Sequence, residues 1–384
     1  MTNGIVNHIV RRGGKVRYLG FSGKDGRGLG NCSVTKHNNR LFIAARVPEY
    51  TFLPFPRTTH IFPVLPKYTS WNHLLLYEPD EDAFSMVREH YLDLDVESVN
   101  RYNGYEDARL VDWGKTLYAS CTLPYGYNDS RFPIALNELD SRYETVSTQR
   151  YCANAIERNW MPITDRPFAY VYSVNPLQIA SVGKNGVSCK KRKRTELLNT
   201  YKGSSQAIPY KNGHIAVIHS NTMSNETPIY IHHFIHWDEE WNVVKVSRGF
   251  TFAGCPREFC CGLYEEDCVV YMTFSLFDNA AFMLKTDLDT VENILNGEWD
   301  TADDARLSGG ALDALFLTDE NDATTAALEH LRGEGNIGGA LALSLWNGNT
   351  ALTEELLWEY MPDRKEIDDQ RVSMSKFLTQ NTGQ

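Results

Sequence analysis

The sequence predicts an all-β fold, namely a five-bladed β-propeller with a small C-terminal helical appendage. Three observations support this prediction. A polar turn followed by an apolar run occurs five times, a strand pair joined by an acidic turn recurs between these copies, and the last part of the chain is rich in Ala and Leu at helical spacing. A length of 384 residues fits one large all-β domain with an appendage, or two average domains, so length does not decide between them.

The five copies of the first pattern set the number of blades. A polar turn that leads into an alternating or continuous apolar run is typical of a β-strand. The predicted strands begin at Leu41, Leu117, Phe168, Ile215 and Val269, so successive starts lie 76, 51, 47 and 54 residues apart. A period of this order indicates repeated sheets.

The second pattern sets the number of strands in each repeat. The stretches "LLLYEPDEDAFSMV", "ALNELDSRYETVS", "HHFIHWDEEWNVVKVS" and "AFMLKTDLDTVENIL" are each predicted to be a strand, an acidic turn and a second strand. Asp and Asn supply the turn chemistry that joins antiparallel strands. Each repeat would therefore hold about four strands, as a propeller blade does.

Two regions depart from the repeat. The stretch "PEYTFLPFPRTTHIFPVLPKYTS" lengthens the first interval, and its prolines and aromatic residues favour a lid-like insertion over another blade. From about Asn321, "ATTAALEHL", "GGALALSLW" and "TEELLWEYM" have helical spacing. We therefore expect a propeller domain over residues 1–317, and a helical appendage with a mobile tail over residues 318–384.

Composition excludes several classes of partner. The formal net charge is −11, and a nucleic-acid partner is disfavoured because phosphate binding normally needs a basic face. The first 20 residues have no apolar segment of signal-peptide length, and nowhere do about 18 apolar residues run together. The sequence therefore predicts a cytoplasmic protein without a membrane partner.

The cysteines and histidines do not form a recognisable metal site. Eight cysteines are scattered along the chain, so most are expected to be reduced, and "CPREFCC" has no tetrahedral zinc spacing. The stretch "IHHFIHWDE" alternates like a strand and lacks a third ligand. We therefore predict core cysteines, a strand containing His232 and His236, and no metal.

One stretch, "NGYEDARLVDWGKTLYASCT", places charged residues at the start of a predicted strand. Asp107 and Arg109 share one face of an extended segment, while Glu106 faces the other way. Polar residues at the ends of the innermost strands of a propeller converge on one mouth of the ring. Asp107 is therefore a candidate proton donor, although an ion pair or a turn cap at the strand start explains the same residues.

This stretch resembles the "EDPR" strand of glycoside hydrolase family 130, whose members are five-bladed propellers that act on β-mannosides. Four more stretches follow in the family's order between Gly28 and Leu284. They are "GNCSVTKHNNRLFIAAR", which places Asn31 and Arg46; "ERNWMPI", which places Arg158; "YKGSSQAIPYKNGHIAVIHS", which places Lys202 and His219; and "FSLFDNAAF", which places Asp278. No single motif is highly specific, but the five together in this order are.

The resemblance implies cleavage of a β-mannoside with inversion. Asp107 would be the general acid, and would deliver its proton through a hydroxyl group of the bound mannose. Only one carboxylate is then needed at the centre of the site. The implied sugar-binding residues are Asn31, Arg46, Glu106, Arg109 and Asp278. The implied phosphate-binding residues are Arg158, Lys202 and His219.

The resemblance also implies the co-substrate, while two departures leave the reaction open. No cofactor is expected beyond inorganic phosphate or a sugar phosphate or sugar nucleotide donor. The family's proline is Ala108 here, and "VYSVNP" lacks the His-Arg pair that phosphorylases use for phosphate. Phosphorolysis, or transfer from mannose 1-phosphate or GDP-mannose, is favoured over hydrolysis. A propeller that binds glycans or proteins without catalysis is the alternative from another class.

Three remaining features have less specific interpretations. The stretch "GKDGRGLGN" is expected to be a turn leading into the first blade, because no strand-to-helix switch follows it as in a phosphate-binding loop. The basic run "CKKRKRT" is expected in a solvated loop between blades. The helical appendage makes self-association of the chain a further expectation.

Overall fold

The computed structural model of the chain contains five separate sheets of at least four strands each, arranged as the blades of a propeller. The five predicted blades are therefore confirmed. The structure describes residues 4–20, 26–48, 50–53, 59–61, 68–89, 102–123, 132–153, 157–193, 201–224, 227–255, 257–299, 323–346 and 350–360.

Blades 1 to 3 follow one another along the chain, each antiparallel and each beginning with its innermost strand. Blade 1 consists of β2 (Gly30–His37), β3 (Arg40–Pro48), β6 (Tyr68–Glu78) and β7 (Ala83–Arg88), with β8 (Tyr102–Gly104) parallel to β6. Blade 2 consists of β9 (Glu106–Trp113), β10 (Thr116–Thr122), β11 (Ile134–Leu139) and β12 (Thr145–Tyr151). Blade 3 consists of β13 (Met161–Pro162), β14 (Ala169–Val174), β15 (Leu177–Gly183) and β16 (Gly186–Lys193).

Blades 4 and 5 complete the ring. Blade 4 consists of β17 (Lys202–Gly203), β18 (Ile208–Tyr210), β19 (Gly213–Ser224), β20 (Thr227–Asp238) and β21 (Val243–Val246). Blade 5 consists of β22 (Phe259–Glu266), β23 (Val269–Leu276), β24 (Ala280–Asp287) and, on its outer edge, β1 (Lys15–Tyr18). The five turn-and-strand repeats form strands, as predicted, and each is the second strand of its blade in sheet order, namely β3, β10, β14, β19 and β23.

The N-terminal part of the chain closes the ring. Strand β1, which follows helix α1 (Val6–Arg11), pairs antiparallel with β24. The last blade thus takes its outer strand from the opposite end of the propeller sequence. This pairing fixes the N-terminal strand in the last blade by backbone hydrogen bonds.

The stretch "AFMLKTDLDTVENIL" was predicted to be two strands, and this prediction is wrong for its second half. After β24 the chain forms helix α2 (Leu288–Asn296). The side chain of Asp287 accepts a hydrogen bond from the backbone N–H of Thr290, so the acidic turn is a helix N-cap. The helix buries Val291, Ile294 and Leu295, while β1 occupies the position of the missing strand.

The basic run "CKKRKRT" was predicted to be a loop, and the structure corrects this as well. Residues up to Lys193 belong to β16, the outermost strand of blade 3. An edge strand suits lysine and arginine because charged residues oppose pairing with another chain. Arg194 lies outside the described residues.

The insertion and the helical appendage lie next to each other. Within the insertion, β4 (Thr51–Leu53) pairs with β5 (Thr59–Ile61). The predicted helices are confirmed as α3 (Ala323–Gly333), α4 (Ile337–Trp346) and α5 (Thr350–Tyr360), and α4 contacts β4. The predicted domain boundary at 317 and the predicted mobile tail lie outside the described residues.

The helical segment shares its hydrophobic core with blade 5. Leu331 of α3, Leu341 of α4 and Leu356 of α5 belong to the same buried cluster as Phe274 and Phe282 of the blade. Burial of a leucine side chain contributes about 1.5–3 kcal/mol to folding. The appendage is thus packed on the propeller by apolar contacts.

Two further features of the described residues are the length of the helices and the state of the cysteines. No helix among the described residues is long and apolar enough to cross a membrane. All eight cysteines are described and none is in a disulfide, and Cys255, Cys260 and Cys261 are buried, as predicted for "CPREFCC".

The innermost strands are joined at the axis by one side chain. Gln206 lies between β17 and β18 and is fully buried. Its amide nitrogen donates to the carbonyl oxygens of Val34 at 3.0 Å and Leu110 at 2.8 Å, and its oxygen accepts from the N–H of Leu263 at 3.0 Å. This carboxamide thus connects blade 4 to blades 1, 2 and 5.

Replacement of Gln206 by Ala should destabilise the whole propeller. The substitution leaves three buried backbone groups without their partner, and each such group costs about 1–3 kcal/mol. We expect the free energy of unfolding, measured in urea, to fall by at least about 3 kcal/mol. Gln149→Ala on the exposed outer strand β12 is the matched control and should change it by less than about 0.5 kcal/mol. Equal effects of the two variants would contradict the role of Gln206.

Candidate active site

The candidate site lies at the mouth of the ring where the innermost strands begin. The residues Asn31, Asp107, Asn159, Arg257 and Asp278 lie there or on the adjoining turn, and all have a left-handed backbone, with φ of 37°, 54°, 60°, 55° and 58°. Such a backbone is uncommon for residues other than glycine and costs of order 1 kcal/mol each. Its recurrence around one mouth indicates that the surrounding structure holds these residues in place.

Bulges in three innermost strands accompany these backbones. In β2 the register of pairing shifts between Gly30 and Ser33. In β9 it shifts between Glu106 and Arg109, the segment that contains Asp107. In β22 it shifts between Cys260 and Gly262. A bulge adds one residue to a strand and changes the direction of the side chains beside it. The bulges therefore explain why polar residues at the start of otherwise apolar strands turn toward the mouth.

The carboxylate of Asp107 is held by two residues of blade 1. Its Oδ1 accepts a hydrogen bond from Asn31 Nδ2 at 2.8 Å and lies 3.5 Å from Arg46 Nη1. Ser275 Oγ donates to Asn31 Oδ1 at 2.8 Å, which fixes the amide with its nitrogen toward Asp107. The Asp107 side chain is 19% exposed, so it is neither sealed in the core nor open to bulk solvent.

Arg46 is the buried cation of the site. It is 4% exposed and donates hydrogen bonds to Glu106 Oε1 at 2.7 Å, Ser70 Oγ at 2.8 Å and the Tyr50 hydroxyl at 3.0 Å. Burial by itself lowers the pKa of the guanidinium, but Glu106, Tyr50 and Asp107 raise it, and the net pKa lies above the ordinary value. Arg46 is therefore a fixed positive charge that holds two carboxylates.

Asp278 adds a third carboxylate from blade 5. Burial raises its pKa, Arg46 and Arg257 oppose this effect, and Asp107 and Glu106 raise the pKa further. Like charges in one site disfavour ionisation of all members, which is the physical cause of the last contribution. We call these three carboxylates, together with Asn31 and Arg46, the acidic half of the site. It combines residues of blades 1, 2 and 5.

Arg109 is hydrogen-bonded to the backbone of Asp107. It is 2% exposed and donates to the Ser204 carbonyl at 2.6 Å, to the Asp107 carbonyl at 3.2 Å and to Asn159 Oδ1 at 3.4 Å. These bonds join blade 2 to Asn159, just before blade 3, and to Ser204, between β17 and β18 of blade 4. They favour a role in positioning Asp107, although the sequence predicted sugar binding.

His219 and Lys202 lie on the blade 4 side of the mouth. They pair across β17 and β19, and His219 is 2% exposed with Nδ1 2.7 Å from Ser204 Oγ. Burial lowers the pKa of His219 to about 3, with smaller contributions from the positive charges of Lys202 and Arg109. His219 is therefore neutral near pH 7. Its neighbour Lys202, in contrast to the buried His219, is exposed to solvent.

Tyr230 contacts His219 and is affected by the charged residues of the site. Its ring packs edge-on against His219 with centroids 5.3 Å apart. Burial raises the pKa of its hydroxyl, Arg257 and Arg158 lower it, and Asp278 and Asp107 raise it. Tyr230 is therefore within electrostatic range of both the carboxylates and the arginines.

The structure places all nine predicted site residues around this mouth, including Arg158, which is exposed and lies over the Phe132 ring at 5.2 Å. The sequence analysis missed Tyr50, Ser204, Tyr230 and Arg257. Arg257 supplies a positive charge that "VYSVNP" does not. Arg257 lies in "CPREF", just before the innermost strand of blade 5, as "YEDAR" lies at the start of the innermost strand of blade 2. This correspondence is the sequence signal from which Arg257 could have been found.

The two histidines considered for zinc lie in strand β20, as predicted. The ring of His232 accepts a hydrogen bond from the N–H of Cys260 at 3.2 Å, whereas the ring of His236 packs on Tyr210. Within the described part of the chain no three His, Cys, Asp or Glu side chains are grouped to hold a metal ion.

Comparison with known proteins gives likenesses of structure. No protein-family profile matches the chain, and no curated protein matches it by sequence. The β-1,2-mannobiose phosphorylase from Listeria innocua, in complex with β-1,2-mannobiose, is 12% identical, with a TM-score of 0.50 over 70% of this chain and 92% of that chain. MPT-4, a mannose phosphorylase from Leishmania mexicana in complex with phosphate, is 13% identical, with a TM-score of 0.45 over 71% of this chain and 88% of that chain. The first likeness confirms the propeller fold.

The low pKa of His219 predicts a loss of stability in acid. The unfolded histidine binds a proton near pH 6.5 and the folded one only near pH 3, so between these values the unfolded state binds more protons. The free energy of unfolding should therefore decrease as pH falls, by about 2 kcal/mol between pH 7 and pH 5 for this group.

Urea unfolding of His219→Gln at both pH values tests this. The variant should lose about 2 kcal/mol of the pH dependence of the wild-type protein. The control is His330→Gln, since His330 is exposed on α3. An unchanged pH dependence in His219→Gln would show that this imidazole is not held neutral.

Proposed function

We propose that this protein is an enzyme that breaks or forms β-mannosidic bonds with inversion, using phosphate or a phosphorylated mannose donor as co-substrate. The observation that carries the proposal is the Asp107 carboxylate, held by Asn31 at 2.8 Å and Arg46 at 3.5 Å at the mouth of the propeller. The resemblance to glycoside hydrolase family 130 implies that Asp107 is the general acid and that Asn31 and Arg46 bind the sugar beside it.

The acidic half of the site would bind the mannose. Asn31, Arg46, Glu106 and Asp278 present carboxylate, amide and guanidinium groups, which together offer donors and acceptors to sugar hydroxyls. Arg46 is already fixed by Glu106 and Tyr50, so little ordering is required when a sugar binds. Arg109 would position Asp107 through its backbone carbonyl.

The basic half would bind the phosphate. Lys202, Arg158 and Arg257 supply positive charge. If Ser204 donates to Nδ1 of His219, the proton of this neutral imidazole lies on Nε2, from which it can be donated to a phosphate oxygen. Glycosidases that invert by hydrolysis use a second carboxylate to activate water. The positive charge opposite the carboxylates favours phosphate in that position.

In the phosphorolytic direction, a phosphate oxygen attacks C1 of the mannose on the face opposite the glycosidic oxygen. The C1–O bond breaks, and the leaving oxygen takes a proton that Asp107 supplies through a mannose hydroxyl. The products are α-mannose 1-phosphate and the shortened sugar. Transfer from mannose 1-phosphate is the reverse reaction, and a GDP-mannose donor would use the same anion-binding residues.

The substrate class rests on the resemblance of the five motifs to glycoside hydrolase family 130, since the likeness to the Listeria innocua enzyme is one of fold. The sugar in that structure makes β-1,2-mannobiose the first substrate to test. Hydrolysis and sugar binding without catalysis are the outcomes that would replace the proposal. A cytoplasmic location, the absence of nucleic-acid and membrane partners, and self-association belong to the same proposal.

Asp107→Asn should abolish turnover and leave the fold intact, because an amide keeps the shape but cannot supply the proton. Loss of a general acid typically lowers kcat by about 10²–10⁴-fold. Release of mannose from β-1,2-mannobiose in the presence of phosphate measures the effect, and calorimetry should show that the sugar still binds.

The matched control is Asp112→Asn at the other end of the same strand, where the carboxylate bonds to His37 and to the N–H of Lys115. This variant should retain turnover. The proposal fails if Asp107→Asn is as active as the wild-type protein on every mannoside and donor tested.

Lys202→Met should raise the KM for phosphate with little effect on the KM for the sugar. A hydrogen bond to a charged group is worth about 1.5–3 kcal/mol, which corresponds to about 10–100-fold. Lys211→Met on the same blade, where Lys211 bonds to Glu292 at 3.0 Å on the surface, is the control. Sugar cleavage at full rate without phosphate would instead identify a hydrolase.

A further inference from the structure

We propose that the C-terminal helical segment supports the sugar-binding half of the site through Asn336, which positions the turn carrying Asp278. This inference rests on the proposed function for its effect on the sugar, whereas its structural part can be tested without a ligand. Asn336 lies just before α4 and is fully buried.

Asn336 joins three parts of the chain. Its Nδ2 donates to the Asn279 carbonyl at 2.6 Å and to the Tyr18 hydroxyl at 2.9 Å. Its Oδ1 accepts from the N–H of Gly339 at 2.8 Å, so the same side chain caps the first turn of α4. The start of the helix is thereby fixed to the residue that follows Asp278.

Asn279 passes this constraint to the acidic half of the site. It is fully buried, and its Nδ2 donates to the carbonyls of Tyr50 and Phe277, both at 3.3 Å. Its Oδ1 accepts from the N–H of Gly28 at 3.3 Å. Because the hydroxyl of Tyr50 bonds to Arg46, the turn is connected to both Asp278 and the central arginine.

Glycines let these segments approach closely. A Cβ at Gly28 would lie 1.6 Å from the Asn279 carbonyl oxygen and 2.4 Å from Asn336 Nδ2, and one at Gly30 would lie 2.3 Å from the Asp278 carbonyl oxygen. The backbone N–H of Gly338 donates to the Gly26 carbonyl at 2.9 Å. The glycines of "GRGLGN" thus serve contact with the helical segment and the Asp278 turn.

The backbone of the turn needs this support. Phe277 and Asp278 have φ of 54° and 58°, a conformation that persists only where the surroundings determine it. Removal of the Asn336 donor leaves the buried Asn279 carbonyl without that bond and lets the turn relax. Asp278 would then leave the position in which it meets a sugar hydroxyl.

Asn336→Asp tests the proposal because it keeps the helix cap and removes the donor to Asn279. Asn336→Ala tests the same loss without adding a charge, and also removes the cap side chain. In both variants we expect amide hydrogen exchange at residues 277–280 to accelerate by about tenfold, and the KM for β-1,2-mannobiose to rise by about tenfold with kcat changed much less.

Two controls separate positioning from general stability. Ser344→Ala removes the hydrogen bond between α4 and Thr353 of α5, and Tyr18→Phe removes the other acceptor of Asn336. Neither should accelerate exchange at residues 277–280. Unchanged exchange in both Asn336 variants, or equal acceleration in Ser344→Ala, would overturn the proposal.

A wild-type protein inactive on mannosides would overturn the proposed function, and the exchange result would still decide the role of Asn336.

Discussion

The structure depends on hydrogen bonds that join the innermost strands at the axis. Gln206 bonds to Val34, Leu110 and Leu263, and therefore fixes four blades relative to one another in a region without water-exposed partners. The mouth of the ring is then a rigid frame, on which bulges and left-handed residues turn polar side chains inward. Asp107 owes its position to this frame, since Arg109 holds its carbonyl from the same buried layer.

The site separates charge into two halves. Arg46 balances Glu106 and Asp107, while Asp278 has its pKa raised by burial and by the other carboxylates. Lys202 belongs to blade 4 beside the neutral His219, and Arg158 precedes blade 3. Arg257 is within electrostatic range of both Asp278 and Tyr230. A ligand with a polyol at one end and an anion at the other fits this distribution, because each half offers the partner that its group requires.

Sequence predicted the local features and missed those that depend on distant contacts. The five strand starts and Asp107 follow from alternation and turn residues, which are properties of neighbouring positions. The second half of "AFMLKTDLDTVENIL" was read as a strand because an Asp-rich turn also caps helices, and only the pairing of β1 with β24 shows that no strand was needed there. Asn336 supports the Asp278 turn through hydrogen bonds between the helical segment and blade 5, which no spacing in the sequence reveals.

The configuration of the first product tests the account most directly. In the proposed mechanism Asp107 alone supplies the proton and phosphate attacks from the opposite face, which requires inversion. Proton NMR of the mannose 1-phosphate that first forms from β-1,2-mannobiose and phosphate should therefore show the α configuration at C1. A β product would mean retention, and would contradict the assignment of Asp107 as a lone general acid.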